Sequence, residues 1–150
     1  MKVVLQTVKK AHVDILGKTV GSISNGYLLL VGFTDGDDQE IVNRMVDKII
    51  KLRVFADENR NINLSLADVK GNILSISQFT LYANTNKGRR PSFTEAMRPH
   101  EAEALYDYFN RQLEHESGLN IQTGVFGADM DVFSVNDGPF TLVLDSKDLF

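Results

Sequence analysis

The chain is 150 residues long and carries 16 lysine and arginine residues against 20 aspartates and glutamates, a formal net charge of −4 at pH 7. This charge argues against broad, nonspecific binding along nucleic acid, which draws on a basic surface, although a local cationic patch remains compatible with it. With no cysteine, the chain has neither a disulfide framework nor a thiolate zinc site or thiol nucleophile.

The length and the ordinary composition predict one domain, residues 1–150, with a core of its own. No apolar stretch is near the length that spans a membrane, and no charged-then-apolar leader is evident. We therefore expect a cytoplasmic protein without a membrane partner.

The first half of the chain predicts strands followed by a helix. Residues 3–8 and 11–16 are predicted as two short strands separated by Lys9 and Lys10, and residues 27–33 as an apolar strand buried on both faces. Apolar residues between 41 and 52 then recur at helical spacing with charged residues between them, which predicts a helix packed on a sheet.

The second half predicts more strands and a second helix. Residues 54–56 are a candidate short strand, 64–69 a connection, and 71–82 a long central strand followed by a polar loop. The second helix is expected to begin after Pro99 and to stop at Gly118. Further strands are predicted near residues 120–125, 130–135 and 140–144.

The balance of these elements indicates the fold class. Strands outnumber helices and cluster at both ends of the chain, and neither an internal repeat nor a linker is visible. We therefore predict an α+β fold, with curved and mainly antiparallel β-sheets and two helices packed outside.

A segment near the C-terminal end, Asn136-Asp137-Gly138-Pro139-Phe140-Thr141, interrupts this strand-like sequence. A Gly-Pro pair does not suit a central strand, because proline lacks the N–H donor and glycine adds no packing side chain. Turn formation explains the segment on its own, and it also makes Asp137 a turn former rather than a general base. The alternative is a binding motif, since a cis X–Pro bond turns two successive carbonyls the same way.

A second segment, Ser77-Gln78-Phe79-Thr80-Leu81, places polar side chains at the end of a hydrophobic run. Strand alternation would set Thr80 on the same face as Gln78 and Tyr82. A threonine nucleophile needs a base to activate it, and the sequence offers none. We therefore expect Thr80 to position or hydrogen-bond rather than attack.

Other candidates are weaker. The three histidines, His12, His100 and His115, have no carboxylate and nucleophile at a recognisable spacing, and no pair of them has metal-ligand spacing. We expect no metal site and no cofactor. A cationic cluster in the polar loop, formed by Lys87, Arg89 and Arg90 with Arg98 shortly after, is either a solvated loop or a contact for a few phosphates.

Together these segments resemble the D-aminoacyl-tRNA deacylase family, and the resemblance runs nearly end to end. The segments that carry it are Met1-Lys2-Val3-Val4-Leu5-Gln6, Ser77-Gln78-Phe79-Thr80, Lys87-Gly88-Arg89-Arg90-Pro91-Ser92-Phe93, Gly124-Val125-Phe126-Gly127-Ala128-Asp129-Met130, Asn136-Asp137-Gly138-Pro139 and Leu142-Val143-Leu144-Asp145. The resemblance implies a barrel-like form of the predicted fold, and a homodimer with active sites at its interface. It further implies hydrolysis of D-amino acids, and of mischarged glycine, from the tRNA 3′ end, as proofreading in translation.

The resemblance also implies site roles. Backbone N–H groups of Phe79 and Thr80 would stabilise the oxyanion, Ser77 and Gln78 would hold the segment and the terminal ribose, and the 2′-hydroxyl of the RNA would take part. Lys87, Arg89 and Arg90 would bind tRNA. Met130 is implied as a pocket-lining residue, with plain core packing as the alternative. Phe79 and Phe140 flank the terminal adenosine or, as we prefer, pack inside.

For the segment that contains Gly138 and Pro139, the resemblance implies a role in stereochemical selection. Gly138-Pro139, with Asn136 beside it, would form a cis motif that reaches into the site of the partner subunit. Its carbonyls would hold the α-amino group, so that an L side chain collides with the motif while a D side chain points to solvent. Glycine, which has no side chain, would pass.

One position departs from the family pattern. Residue 7 is Thr7, where the family commonly carries an arginine that steadies the Gly-Pro motif, and a threonine cannot reproduce the bidentate fork of arginine. Gln6 or Lys9 would take over that role, or the motif is looser. Two alternatives stay open: a sister editing deacylase with altered chiral preference, and a noncatalytic RNA-binding module on the same fold.

Overall fold

The structure is a computed structural model that describes residues 1–150. Its strands are β1 (Lys2–Ile15), β2 (Lys18–Ile23), β3 (Gly26–Gly32), β4 (Arg53–Ala56), β5 (Ile62–Ser65), β6 (Asn72–Ser77), β7 (Gln122–Thr123) and β8 (Asp131–Asp145). Its α-helices are α1 (Gln39–Lys51), α2 (Pro99–Ser117) and α3 (Ser146–Leu149), and a single 3₁₀ turn spans Phe79–Tyr82. None of the helices is long and apolar enough to cross a membrane.

Six strands form one curled sheet, in which β1 pairs with three other strands. Strand β8 runs antiparallel along β1, whose other edge is shared by β3 and β2, both also antiparallel. Strand β6 then pairs with β3, and β7 with β6, both in parallel. The sheet curls until β2 contacts β6 and β7, while β4 and β5 form a separate hairpin. The predicted α+β, barrel-like fold is confirmed.

Two apolar clusters lie on opposite faces of this sheet. The larger contains 20 buried residues, most of them from β1, β3, α1 and α2, among them Leu5, Leu29 and Phe109. The smaller contains seven, including Val13, Leu28 and Leu74, inside the curl of the sheet. Because neighbouring residues of a strand point to opposite faces, β3 contributes to both clusters and is buried on both sides, as its apolar sequence predicts.

The prediction of two short strands before residue 17 is wrong, because β1 is continuous. Lys9 and Lys10 are exposed at the point where the partner of β1 changes from β3 to β2, with Val8 opposite Gly26 and Ala11 opposite Ile23. Charged side chains can reach solvent at that change of partner, so they do not interrupt the strand. In the same way, the strands predicted near 130–135 and 140–144 are one strand, β8.

The predicted central strand over residues 71–82 is correct only to Ser77. The backbone N–H of Gln78 donates to the carbonyl of Val31 at 2.7 Å, and the chain then turns. Within the turn, the N–H of Leu81 donates to the carbonyl of Gln78, so strand alternation does not apply to Thr80. Two smaller differences are that residues 62–65 form β5 and that the strand near 120–125 shrinks to β7.

Candidate active site

A cavity of about 640 Å³ opens where β3 and β6 end. Its walls come from the ends of these strands, the 3₁₀ turn, the loop that leads into α2, and the segment between β7 and β8. The lining residues are Val31, Gly32, Phe33, Ile76, Ser77, Gln78, Phe79, Phe93, Ala96, Met97, Arg98, Pro99, Ala102, Phe126, Gly127, Ala128, Asp129, Met130 and Val132. Most are apolar, and a few polar groups converge among them, which is the usual composition of a small-molecule site.

The segment predicted as catalytic forms one wall of this cavity. Ser77, Gln78 and Phe79 line it, whereas Thr80 does not. Phe79 is 56% exposed at this wall, so the preferred prediction that it packs inside is wrong. The side-chain amide of Gln78 donates to the hydroxyl oxygen of Thr80 at 2.5 Å. Phe79 and Thr80 begin the 3₁₀ turn, and the first N–H groups of such a turn have no partner inside it.

The carbonyl of Ser75, two residues before this segment, is fixed from two directions. It accepts a 2.7 Å hydrogen bond from the hydroxyl of Tyr106 on α2 and a 3.2 Å bond from the N–H of Gly124. Burial raises the pKa of Tyr106 above its ordinary value of 10.0, so the phenol keeps the proton that it donates. This arrangement ties the wall formed by β6 to both α2 and the 124–130 segment.

Met130 lies at the cavity, as implied, and Gly124 determines how closely it packs. A Cβ atom at Gly124 would overlap the sulfur of Met130, which means that the thioether lies directly against the glycine backbone. Phe140, in contrast, packs partly buried against the larger core and does not line the cavity, so packing is the role that its position supports.

The Asn136–Thr141 segment forms a protrusion on β8. In the pairing of β1 with β8, Gln6 is opposite Thr141 and Val8 is opposite Asn136, which leaves four residues of β8 facing Thr7 alone. Asp137, Gly138 and Pro139 are exposed, and the Gly138–Pro139 peptide bond is cis. We call residues 137–139 the tip.

Side chains around the tip hold it to the sheet. The carboxamide oxygen of Asn136 accepts the N–H of Phe140 at 2.9 Å, and its nitrogen donates to the hydroxyl of Thr141 at 3.3 Å. Gln6 also donates to that hydroxyl, at 3.1 Å. The hydroxyl of Thr7 donates to the carbonyl of Asp137 at 2.8 Å. Asn136 thus braces the protrusion and is not part of the cavity wall.

The tip and the cavity do not meet within one chain. Neither Gly138 nor Pro139 lines the cavity. In the strand order β8-β1-β3-β6, the tip lies opposite Thr7 and Tyr27, whereas Ser77 is level with Val31 and therefore with Val3 on β1. Across the sheet, the tip and Ser77 are therefore three strand spacings apart, about 14 Å. Along the strands they are four residues apart, about 13 Å.

The predicted cationic cluster lies on an exposed loop beside the cavity. Asn84 and Ser92 close this loop through two backbone hydrogen bonds of 2.8 and 2.9 Å. Lys87, Arg89 and Arg90 are exposed at its end, and none of them forms an ion pair within the chain. The loop reaches the cavity through Phe93, whose ring packs edge-on against Phe79 with centroids 5.0 Å apart.

Sequence reasoning missed some of the lining residues. Asp129 and Phe93 stand within segments that the resemblance quotes, but nothing in the sequence marked either one as facing a cavity. Arg98 stood out only as a cation and lies at the start of α2, where unpaired N–H groups favour anions. No histidine lines the cavity, and His12 instead stacks on Phe133 with ring centroids 4.5 Å apart.

Comparison with known proteins finds relatives over nearly the whole chain. The family model for D-Tyr-tRNA(Tyr) deacylase matches residues 4–145. A D-aminoacyl-tRNA deacylase of Lactobacillus acidophilus is 58% identical over 145 residues, which cover 97% of this chain and 99% of the relative. Another, of Aquifex aeolicus, is 49% identical over 149 residues, covering 99% of this chain and 100% of the relative.

Solved structures with the same fold are also found. A c-Myc DNA unwinding element binding protein superimposes with a TM-score of 0.90 at 40% identity, covering 97% of this chain and 98% of the other. A probable eukaryotic D-amino acid tRNA deacylase superimposes with a TM-score of 0.83 over 95% of this chain and 97% of the other. At 21% identity, this second likeness supports the fold alone.

Proposed function

Because the chain belongs to the D-Tyr-tRNA(Tyr) deacylase family, we propose that it is a D-aminoacyl-tRNA deacylase acting at the tRNA 3′ end. The observation that carries this proposal is the cavity wall formed by Ser77, Gln78 and Phe79. In the reaction, the oxygen of a water molecule bonds to the ester carbonyl carbon and the bond to the ribose oxygen breaks. The ribose oxygen takes up a proton, and the products are a free amino acid and an uncharged tRNA.

The cavity suits an ester that is already reactive. Backbone N–H groups of Phe79 and Thr80 would stabilise the oxyanion, and one such donor typically contributes about 10²–10³ in rate. Ser77 and Gln78 hold this segment and the terminal ribose. The 2′-hydroxyl of the ribose assists proton movement, which fits a cavity wall without histidine.

The size and the lining of the cavity fit the end of a charged tRNA. A volume of about 640 Å³ lies within the usual range for small ligands, about 300–1,000 Å³. Phe79 and Phe93 at the wall offer aromatic surfaces to the terminal adenine, and Met130 offers an apolar contact. Arg98, at the start of α2, suits the adjoining phosphate.

The exposed loop supplies a second contact to the RNA. Lys87, Arg89 and Arg90 lie together, without ion-pair partners, on the loop that brings Phe93 to the cavity. We assign them to phosphates just beyond the 3′ end. Such a local contact is compatible with the net charge of −4, which disfavours wrapping along the tRNA.

The character of β8 supports a homodimer. This 15-residue strand pairs only with β1, and its remaining edge is open. Phe133, Val135 and Val143 are exposed on it, and Val143 is 69% accessible. Long, apolar edge strands are normally covered, because their free N–H and C=O groups pair readily with another chain. We propose that a second copy covers β8.

The dimer would complete the site. Since the tip and the cavity are separated within one chain, we propose that Gly138 and Pro139 of one subunit enter the cavity of the other. Their carbonyls accept hydrogen bonds from the α-amino group of the substrate. An L side chain then collides with the tip, a D side chain points away, and glycine is accepted. The biological role would be proofreading of charged tRNA in the cytoplasm.

A charged substitution on β8 tests the shared site. Val143→Asp should give a folded monomer by sedimentation and circular dichroism, with most of the deacylase activity lost. The matched control is Ile62→Asp, which places the same charge at an exposed apolar position on the separate β4–β5 hairpin. A monomeric Val143→Asp variant with full activity would mean that each chain carries a complete site.

One observation favours a second function. The second candidate is nucleic-acid binding without hydrolysis, and the 40% identity to a c-Myc DNA unwinding element binding protein supports it. The polar residues of the cavity wall disfavour it, since such groups cost stability when they serve no site. Tight binding of uncharged tRNA with no turnover of any charged tRNA would support this second function. Turnover of both chiral forms would instead indicate a sister deacylase with altered preference.

A further inference from the structure

Thr7 is one of three buried polar residues in the chain, and its side chain is only 3% exposed. Its neighbours on β1 both pair with β8, but Thr7 itself has no opposite residue there. A buried hydroxyl at a gap in a strand pair is unusual, because β1 is otherwise filled at its buried positions by apolar residues such as Val3, Leu5 and Val13. The buried Thr7 hydroxyl therefore needs a hydrogen-bond partner inside the protein.

That partner is the first residue of the tip. The hydroxyl of Thr7 donates to the carbonyl of Asp137 at 2.8 Å, directly before Gly138. The β-branched side chain of threonine has few χ1 rotamers, so the direction of this hydroxyl is well defined. Gly138 has a φ of +137°, and a Cβ atom there would lie 2.8 Å from the N–H nitrogen of Phe140. The backbone after Asp137 is therefore tightly folded on itself, and a shift of the Asp137 carbonyl would change the direction of the tip.

The other side chains in this region hold the two ends of the protrusion and not the tip itself. Asn136 bonds to Phe140 and Thr141, and Gln6 bonds to Thr141. Lys9 is exposed and forms no ion pair within the chain. Among all side chains, only Thr7 hydrogen-bonds to the backbone of residues 137–139.

We propose that Thr7 is the positioning residue of the tip and that its hydroxyl sets the selectivity between D and L esters, an inference that rests on the proposed deacylase function. Without the hydroxyl, the Asp137 carbonyl loses its donor and the tip samples other directions. The collision that rejects an L side chain then becomes less certain. Hydrolysis of a D ester is less affected, because its side chain points away from the tip.

Three variants test this role. Thr7→Val keeps the shape and removes the hydroxyl, Thr7→Ser keeps the hydroxyl, and Thr19→Val is the control. Thr19 also donates its hydroxyl in a hydrogen bond, to the carboxylate of Asp14, on the exposed β1–β2 hairpin. Single-turnover rates on D-Tyr-tRNA and L-Tyr-tRNA give the selectivity ratio, and NMR hydrogen exchange of the Gly138 and Phe140 amides reports the order of the tip directly.

We expect Thr7→Val to lower the ratio of D to L rates about tenfold, the loss of one net hydrogen bond, and to accelerate exchange at both amides. Thr7→Ser and Thr19→Val should match the unmodified protein in both measurements. An unchanged ratio or unchanged exchange in Thr7→Val would overturn the inference, as would a parallel fall in both rates. Failure of the unmodified protein to hydrolyse D-Tyr-tRNA would overturn the proposed function instead, and exchange would still decide whether Thr7 holds the tip.

Discussion

The side-chain amide of Gln78 donates a 2.5 Å hydrogen bond to the hydroxyl oxygen of Thr80, two residues later. This bond spans the start of the 3₁₀ turn and fixes the turn that carries the Phe79 and Thr80 N–H groups. The Thr80 hydroxyl therefore acts as an acceptor from an amide that cannot remove its proton, and no histidine lines the adjoining cavity. A hydroxyl in this setting is not an activated nucleophile.

Replacing Thr80 by valine should slow deacylation of D-Tyr-tRNA about tenfold without abolishing it, because the change removes one net hydrogen bond and leaves the backbone donors present. Single-turnover kinetics at saturating enzyme give this rate without interference from binding. Thr19→Val is a control for loss of a threonine hydroxyl elsewhere. A fall of more than about 10³-fold with binding retained would assign the chemistry to Thr80 itself.

Removing the hydroxyl of Tyr106 should destabilise the fold by about 1 kcal/mol, because the buried Ser75 carbonyl loses one of its two donors. Urea unfolding of Tyr106→Phe at a fixed protein concentration measures the change. The matched control is Tyr108→Phe, whose hydroxyl bonds to Asn43 at the surface and should matter by less than about 0.5 kcal/mol. Equal losses of stability in the two variants would show that the buried hydrogen bond contributes no more than the exposed one.

The stability of the protein should fall as the pH rises above 10. Burial raises the pKa values of Tyr27, Tyr82 and Tyr106 above 10.0, so these phenols stay protonated in the folded chain but ionise in the unfolded chain. The unfolded state then binds fewer protons, and the free energy of unfolding falls by up to about 1.4 kcal/mol per pH unit for each tyrosine.

Urea unfolding between pH 9 and 11 would measure this slope, and Tyr27→Phe should make it shallower. Phenolate absorbance offers an independent check, since the three tyrosines should ionise only when the protein unfolds. Ionisation of all tyrosines near pH 10 in a protein that keeps its circular dichroism would contradict the burial argument.

Neutralising the cationic loop should weaken tRNA binding and reduce its salt dependence. The triple change of Lys87, Arg89 and Arg90 to alanine removes up to three phosphate contacts, each contributing about 0.7–0.9 to the slope of log K against log salt. The control is the triple alanine change of Arg44, Lys48 and Lys51, which removes the same charge from exposed positions of α1 and leaves the loop unchanged. Equal salt slopes for the two triple variants would mean that the change in net charge, and not the loss of contacts from the loop, weakens tRNA binding.

Features set by neighbours in the chain were predictable from the sequence. Helix α1 follows its apolar spacing, with Asp38 accepting the N–H of Ile41 at 2.9 Å. Helix α2 begins at Pro99 and ends at Ser117, where Gly118 caps it in the left-handed conformation. Family membership was also predictable, because the motifs that carry it are short and ordered along the chain, and the comparisons confirm it.

Features set by distant partners were not predictable. The turn at Gln78 depends on the carbonyl of Val31, 47 positions earlier, and the continuity of β1 across Lys9 depends on a change of partner strand. The contact between Thr7 and Asp137 requires the exact register of β1 and β8, which no local pattern encodes. Whether the tip meets a cavity depends on a second subunit and stays a prediction.

Chirally selective deacylation is tested most directly by hydrolysis of D-Tyr-tRNA and L-Tyr-tRNA measured side by side, with and without a metal chelator. We expect fast loss of the D ester, little loss of the L ester and no effect of the chelator. Equal hydrolysis of both esters would contradict selection by the tip, and hydrolysis of neither by a folded dimer would contradict the deacylase function itself.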